Sequence, residues 1–265
     1  MLGKPVGHSL SPVLHRAAHR ALGLTGWSYT AIECDEAALA ALLAGAPPEV
    51  AGYSCTMPLK RQVLREASSV SPAAAAIGAG NTLLRRPDGW HADNTDWIGI
   101  RNALGARSIP ISGTVTVLGA GGTAQAALAA LLGAGEVTVL VREPSRAGPL
   151  LAAADRLAVP VRVASLSERA AWLGADLIIA TLPPGAADRY AGLPFRRDQA
   201  LLDAVYAPWP TPLAAAVAAA GGRLVSGAAM LLHQAARQVE LMTGSAAPVE
   251  AMRAALLAAV PGCGA

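Results

Sequence analysis

Residues 114–126 read "TVTVLGAGGTAQA", and residues 137–141 read "VTVLV". The first stretch is a short β-branched run that enters a glycine turn and leaves it as an alanine-rich helix. Gly119, Gly121 and Ala124 stand in it at G-x-G-x-x-A spacing, with Ala120, Gly122 and Thr123 between them. Small residues there permit a tight turn, a close approach of backbone to a pyrophosphate, and packing of the helix on its strand. The helix N-terminus then offers unpaired N–H groups to the phosphates. By itself the pattern is weak, because alanine-rich chains produce it by chance. Its place inside a strand–helix–strand unit makes it a dinucleotide-binding signature.

The surrounding sequence continues the same alternation. Helical "SRAGPLLAAADRLA" (145–158) is followed by "VRVAS", "DLIIATLP", "ALLDAVY", helical "TPLAAAVAAAGG" and "RLVSG". Strands separated by helices of this length imply a parallel sheet covered on both faces. Arg142 falls 23 positions after Gly119, where a dinucleotide fold reads the ribose. A guanidinium there can hold a 2′-phosphate, and Arg146 can add a second cation. Glu143 complicates this reading, since the same three residues could form a solvated loop with a local ion pair.

The first hundred residues carry polar clusters instead: "GHSLSP" (7–12), "SCTMPLK" (54–60), "GAGNT" (78–82) and "HADNTDW" (91–97). Ser11 suits a helix N-cap with Pro12 at the first helical position, which leaves Ser9 unexplained. Two neutral donors beside a helix start would suit a carboxylate. "AGYSCTMPLK" predicts a strand running into a helix that begins at Pro58, with Lys60 in its first turn, where a cation is disfavoured by the helix dipole. Asp96 could cap the following helix, and Asn81 reads as turn chemistry. "TLLRRPDGWHAD" (82–93) predicts a β-hairpin turned on Pro87, Asp88 and Gly89. His15 and His19 stand four apart, but Arg16 occupies the place where a zinc protease needs glutamate; they read as ordinary helix residues. "GAAMLLHQAARQVELMTG" (227–244) is a long amphipathic helix, with a shorter one from about Pro248.

Composition limits the function. The chain has 265 residues, 53% of them hydrophobic and only 4% aromatic, with a net charge of +3. No apolar run reaches the roughly 18 residues that a membrane span needs. "MLGKPVGHSL" lacks a secretory n-region and h-region. Three scattered cysteines, Cys34, Cys55 and Cys263, suggest reduced thiols rather than a disulfide frame or a metal site. The mild basic balance, without basic runs, tolerates anionic small molecules and argues against nucleic acid. A cytoplasmic enzyme is expected.

Together the clusters "GHSLSP", "TMPLK", "GAGNT", "ADNTD", "GAGGTA", "DAVYAPWPTPL" and "GAAMLLHQA" resemble the shikimate dehydrogenase family in order and spacing, its actinobacterial members most. The resemblance covers essentially the whole chain. It implies reversible reduction of 3-dehydroshikimate to shikimate with NADPH, a step of aromatic amino-acid biosynthesis, without a metal. It implies a two-domain α/β fold: a substrate-binding and catalytic domain of residues 1–97 plus 227–265, and a Rossmann-like, doubly wound NADP-binding domain of residues 98–226. Members occur as monomers and as homodimers.

On matching positions, Lys60 and Asp96 would be the catalytic pair. Ser9 and Ser11 would bind the substrate carboxylate, Thr56, Asn81 and Gln234 its hydroxyls, and Tyr206 would line the cleft. Gly119, Ala120, Gly121, Gly122 and Thr123 would hold the pyrophosphate, Arg142 and Arg146 the 2′-phosphate, and Gly227 and Met230 would lie near the nicotinamide.

Two departures stand out. Only Met1 and Leu2 precede Gly3, so either translation starts upstream or the first strand is short. The usual Asn-Arg-Thr is replaced by Val141, Arg142 and Glu143. NAD-preferring relatives carry an aspartate at the strand end, and a glutamate one place later can point away from the ribose. Rival readings are a quinate/shikimate or aminoshikimate dehydrogenase, and a catalytically silent nucleotide-binding relative.

Overall fold

The computed structural model describes residues 1–264. Its first six strands are β1 (Leu2–Gly3), β2 (Ile32–Glu33), β3 (Gly52–Ser54), β4 (Ser69–Val70), β5 (Thr82–Arg86) and β6 (Gly89–Asp93). β3, β5, β6 and β4 form a sheet in that order; β5 and β6 are the expected hairpin, with Arg86 opposite Gly89. β1 pairs in parallel with β2, and Leu2 bridges to Cys55 just past β3. β1 is thus two residues long, yet it is tied on both sides: Cys34 N–H donates to the Gly3 carbonyl, and Thr56 N–H to that of Leu2. Leu2, Leu39, Leu59, Val63 and Leu83 fill the core beneath.

The second sheet contains β7 (Val115–Leu118), β8 (Val137–Val141), β9 (Val161–Ser165), β10 (Leu177–Ala180), β11 (Ala200–Asp203) and β12 (Arg223–Ser226). All its pairs are parallel, in the order β12-β11-β10-β7-β8-β9. β7, β8, β10 and β11 are buried throughout, which is why they read as predominantly apolar, Val/Ile/Leu-rich runs. The strand order reverses between β7 and β10. Loops leaving those two strands diverge, and a crevice opens at their carboxyl ends.

The helix after the glycine turn matches expectation, and the next one differs from it. The helix after β7 spans Gly122–Ala130 and ends in a turn before Gly133. "SRAGPLLAAADRLA" splits into a 3-10 turn at Pro144–Arg146 and a helix Gly148–Leu157. Pro149 has no N–H to donate and so is accommodated in the first turn of a new helix, where none is required.

After β12, helix Gly227–Thr243 begins with the Ser226 hydroxyl accepting the Ala229 N–H at 3.3 Å. Its 17 residues extend about 25 Å, from the parallel sheet to the first sheet. On the way Leu232, Ala235 and Val239 pack with Leu14 and Ala18 of helix Ser11–Ala21, and with Met252 and Leu256 of helix Val249–Ala259. No helix among the described residues is long and apolar enough to cross a membrane.

His15 is buried in this junction. Its ring stacks on Tyr29 at 4.0 Å, and Nε2 lies 3.4 Å from Gln238 Oε1. Burial lowers its pKa from 6.5 to about 3. The unfolded chain therefore takes up a proton near pH 6.5, while the folded one resists until about pH 3. Stability from the neutral ring is complete above the unfolded pKa and drains away as pH falls through this window, by up to about 1.4 kcal/mol per pH unit. His19 and His233 are shifted the same way by burial. Urea midpoints are expected to fall between pH 7.5 and 5, and His15→Leu to flatten that fall. An unchanged pH profile in the variant would assign the sensitivity to other groups.

Candidate active site

Lys60 lies in the crevice between the two sheets. It sits in a turn, with the Leu59 N–H donating to the Thr56 carbonyl at 2.8 Å, and the helix that follows spans only Gln62–Glu66. The expected helix start at Pro58 is therefore corrected: Lys60 precedes the helix, and its setting comes from side chains. Its Nζ donates to Asp96 Oδ2 at 2.6 Å and to Thr123 Oγ1 at 3.1 Å.

Asp96 opens helix Asp96–Ala106 but does not cap it. Asn94 Oδ1 accepts the Asp96 N–H at 2.9 Å, which frees the Asp96 carboxylate for the crevice. The side chains of Lys60 and Asp96 are 18% and 6% exposed, so the pair is screened far less than a surface bridge. A carboxylate at a helix N-terminus is also favoured by the helix dipole.

Asn81 is more than a turn residue. It is buried, and its Nδ2 donates to Asp96 Oδ1 at 2.8 Å, with Thr95 Oγ1 and Gln234 Oε1 also in reach. Its Oδ1 accepts from Thr95 N–H and Thr82 Oγ1, each at 2.8 Å. The roles of the two serines also change. Helix Ser11–Ala21 has no side-chain cap, and Ser9 Oγ accepts the Ser11 N–H at 3.2 Å. Ser9, unexplained by local sequence, shapes the turn, and Ser11 is left facing the cavity.

That cavity holds about 300 Å³ and is lined by Ser9, Ser11, Thr56, Lys60, Asn81, Asp96, Thr123, Tyr206, Gly227, Met230 and Gln234. The size suits a small, highly hydroxylated molecule. Burial raises the pKa of the Tyr206 phenol, keeping it a neutral donor. His8, Ser54 and Gln238 line it as well, and sequence reading missed them. Gln238 is a hub: Oε1 accepts from Ser54 Oγ at 2.9 Å, and Nε2 donates to the Asn81 carbonyl at 3.1 Å and to Thr82 Oγ1 at 3.0 Å. Its position four residues after Gln234, on the same helix face, was the available signal.

The glycine turn closes the other side. Gly119 has φ +106°, and a Cβ there would stand 2.8 Å from Thr181 Oγ1. Gly121 precedes helix Gly122–Ala130 with no capping side chain, and nothing lies within 4 Å of where its Cβ would be. Gly122 packs on Lys60, whose Cδ would be 3.2 Å from an added Cβ. An uncapped helix N-terminus facing open space fits a pyrophosphate.

A second cavity of about 470 Å³ adjoins it, lined by Gly119, Ala120, Arg142, Glu143, Arg146, apolar Leu166 and Leu182, and Arg189. Apolar walls with cations at one end fit an adenosine bearing a phosphate. Glu143 lines this cavity too and approaches Arg146 Nε at 3.6 Å. Arg189 was not among the expected residues; it lies in a short 3-10 turn, Asp188–Tyr190, too short to carry a periodic signal.

This division of labour, a dinucleotide lobe closing over an ammonium–carboxylate pair beside a small polar cleft, is that of the pyridine-nucleotide dehydrogenases. Residues 1–83 match the model of the shikimate dehydrogenase substrate binding domain, and residues 227–257 that of the shikimate 5'-dehydrogenase C-terminal domain. The chain is 37% identical to the shikimate dehydrogenase (NADP(+)) of Halorubrum lacusprofundi over 270 residues, covering 97% of each. The crystal structure of Mycobacterium tuberculosis shikimate dehydrogenase superposes with a TM-score of 0.87 at 46% identity, covering 97% of both chains. That of the Thermus thermophilus enzyme, in complex with NADP(H) and shikimate, gives 0.86 at 34% identity, covering 98% of both. The chain belongs to the shikimate dehydrogenase family.

Proposed function

We propose that this protein is a shikimate dehydrogenase, reducing 3-dehydroshikimate to shikimate reversibly at the expense of NADPH. One observation carries the reading: Lys60 contacts Asp96 on the substrate side and Thr123 on the nucleotide side at the same time. A proton donor thus stands at the boundary of the two cavities. When bound, the nicotinamide supplies a hydride to the substrate's carbonyl carbon, or takes one back from the alcohol.

Lys60 Nζ gives its proton to the carbonyl oxygen as that carbon is reduced, and recovers one in reverse. Asp96 Oδ2 aims the ammonium, while Asn81 holds Asp96 Oδ1 in place. Ser9 and Ser11 bind the substrate carboxylate; Thr56, Asn81 and Gln234 bind its hydroxyls, and Tyr206 walls the cleft. Gly227 and Met230 border the place of the nicotinamide ring. An analogue lacking a hydroxyl is rejected because it leaves buried polar groups unpaired. The uncapped helix at Gly121–Thr123 receives the pyrophosphate, and Arg142 the 2′-phosphate. The enzyme belongs in the cytoplasm, where thiols such as Cys34 and Cys55 stay reduced.

The decisive experiment is an assay of shikimate, quinate and aminoshikimate, each with NADP and NAD. Shikimate with NADP is expected to give the highest kcat/KM. A preference for quinate or aminoshikimate would move the protein to the rival branch, and no turnover of any pair would favour a silent relative. Removal of the Arg142 side chain should raise the NADP KM about tenfold or more while leaving the NAD KM nearly unchanged. Equal rises would make Arg142 a structural loop residue.

A further inference from the structure

We infer that Arg189, reaching in from the loop beyond β10, is the second cation that selects a 2′-phosphorylated cofactor, and that Arg146 is not. The inference rests on the NADP reading above. A phosphate monoester carries roughly −1.5 to −2 charge near pH 7 and is best held by two guanidinium groups. The adenosine-side cavity presents three arginines and one glutamate, a net +2. Glu143 is committed to Arg146, at 3.6 Å, and also accepts from Ser145 Oγ at 3.2 Å. That pair contributes no net charge to an anion. What remains is Arg142 after β8 on one wall and Arg189 on the other.

Arg189 is free to do this and is held ready. Among the described residues it is paired with no carboxylate, and its neighbour Asp188 lines a separate hollow together with Asp203. Its guanidinium lies 4.8 Å over the Tyr190 ring and donates to the Tyr190 hydroxyl at 2.6 Å. Tyr190 stacks on Trp172, with 4.6 Å between ring centroids. Trp172 is fully buried, and its indole N–H donates to the Leu166 carbonyl at 2.9 Å. The guanidinium therefore sits on an aromatic ladder rooted in the core, so less side-chain freedom is lost when an anion arrives. The loop leaves the sheet at its switch point, where this fold takes its ligand.

Titration calorimetry with adenosine 2′,5′-bisphosphate and with 5′-AMP tests this without turnover. The unsubstituted protein should bind the bisphosphate more tightly than 5′-AMP. Arg189→Ala should weaken the bisphosphate about tenfold to a hundredfold and 5′-AMP by less than about threefold. Arg189→Lys should recover part of the loss. The paired change Arg146→Ala/Glu143→Gln, which removes both charges of that pair together, should change the bisphosphate by less than about threefold, and Glu143→Gln alone should tighten it. If the unsubstituted protein prefers the bisphosphate but Arg189→Ala weakens both probes alike, or neither, the inference fails while the NADP reading stands. A larger loss in Arg146→Ala/Glu143→Gln than in Arg189→Ala would also overturn it. If the unsubstituted protein binds both probes equally, the NADP reading fails and the role of Arg189 falls with it.

Discussion

Lys60→Ala should lower kcat by about 10²–10⁴-fold, the usual contribution of a positioned proton donor, while the affinity for NADPH changes by only a few fold. The separation follows from where the lysine is anchored. Its strongest partner is Asp96, at 2.6 Å on the substrate side, and its contact with the nucleotide side is the single 3.1 Å bond to Thr123 Oγ1. The features that suit the pyrophosphate, the glycine turn and the uncapped helix at Gly121–Gly122, are backbone and survive truncation. Asp96 would lose its counter-ion but keep the Asn81 amide at 2.8 Å and the helix N-terminus, so the variant is expected to fold. Steady-state kinetics with quenching of intrinsic fluorescence by NADPH measures both quantities. Near-normal turnover would sink the role assigned to Lys60, and a loss of cofactor binding equal to the loss of rate would make it a structural link.

Gly227→Ala should destabilise the protein by about 3 kcal/mol, lowering Tm by roughly 6–12 °C. The added Cβ would stand 2.1 Å from the Ala204 carbonyl oxygen and 2.4 Å from its carbon. Both are main-chain atoms and cannot swing aside as a side chain would. Neighbouring residues are locked by strand pairing, Asp203 opposite Ser226 in the parallel sheet. The strain must pass into helix Gly227–Thr243, which carries Gln234 two turns further on. Surviving enzyme should therefore show a raised KM for shikimate as well as a lower melting point. A melt indistinguishable from that of the unsubstituted protein would mean that the two segments part easily.

The parallel sheet was legible because β7, β8, β10 and β11 are covered on both faces, and such strands leave predominantly apolar runs between turn residues. β1, β2 and β4 have two residues each and hold no pattern long enough to read. Many of the motif residues line one cavity, but local rules misread the local role of several of them. Ser11 looked like a cap because Pro12 follows it, yet Ser9 accepts the N–H. Asn81 looked like a turn residue because two glycines stand just before it, yet its partners come from Thr95, Asp96 and Gln234. Gln238 and Arg189 owe their importance to tertiary neighbours; only the four-residue spacing from Gln234 marks the first, and no local pattern marks the second.

The helix that runs from one sheet to the other also constrains how the chain is made. Asn81 precedes its partner Gln234 by 153 residues, and Ser54 precedes Gln238 by 184. On a ribosome adding about 5–20 residues per second, the first lobe waits roughly ten to thirty seconds for the amides that complete its polar interior. Until then Asn81 and Ser54 lack those partners, and the groove that will receive Leu232 and Val239 is open on the nascent chain. The catalytic cleft is therefore among the last parts to close, and a chain that stalls inside the nucleotide lobe leaves an exposed apolar surface for chaperones and proteases to recognise.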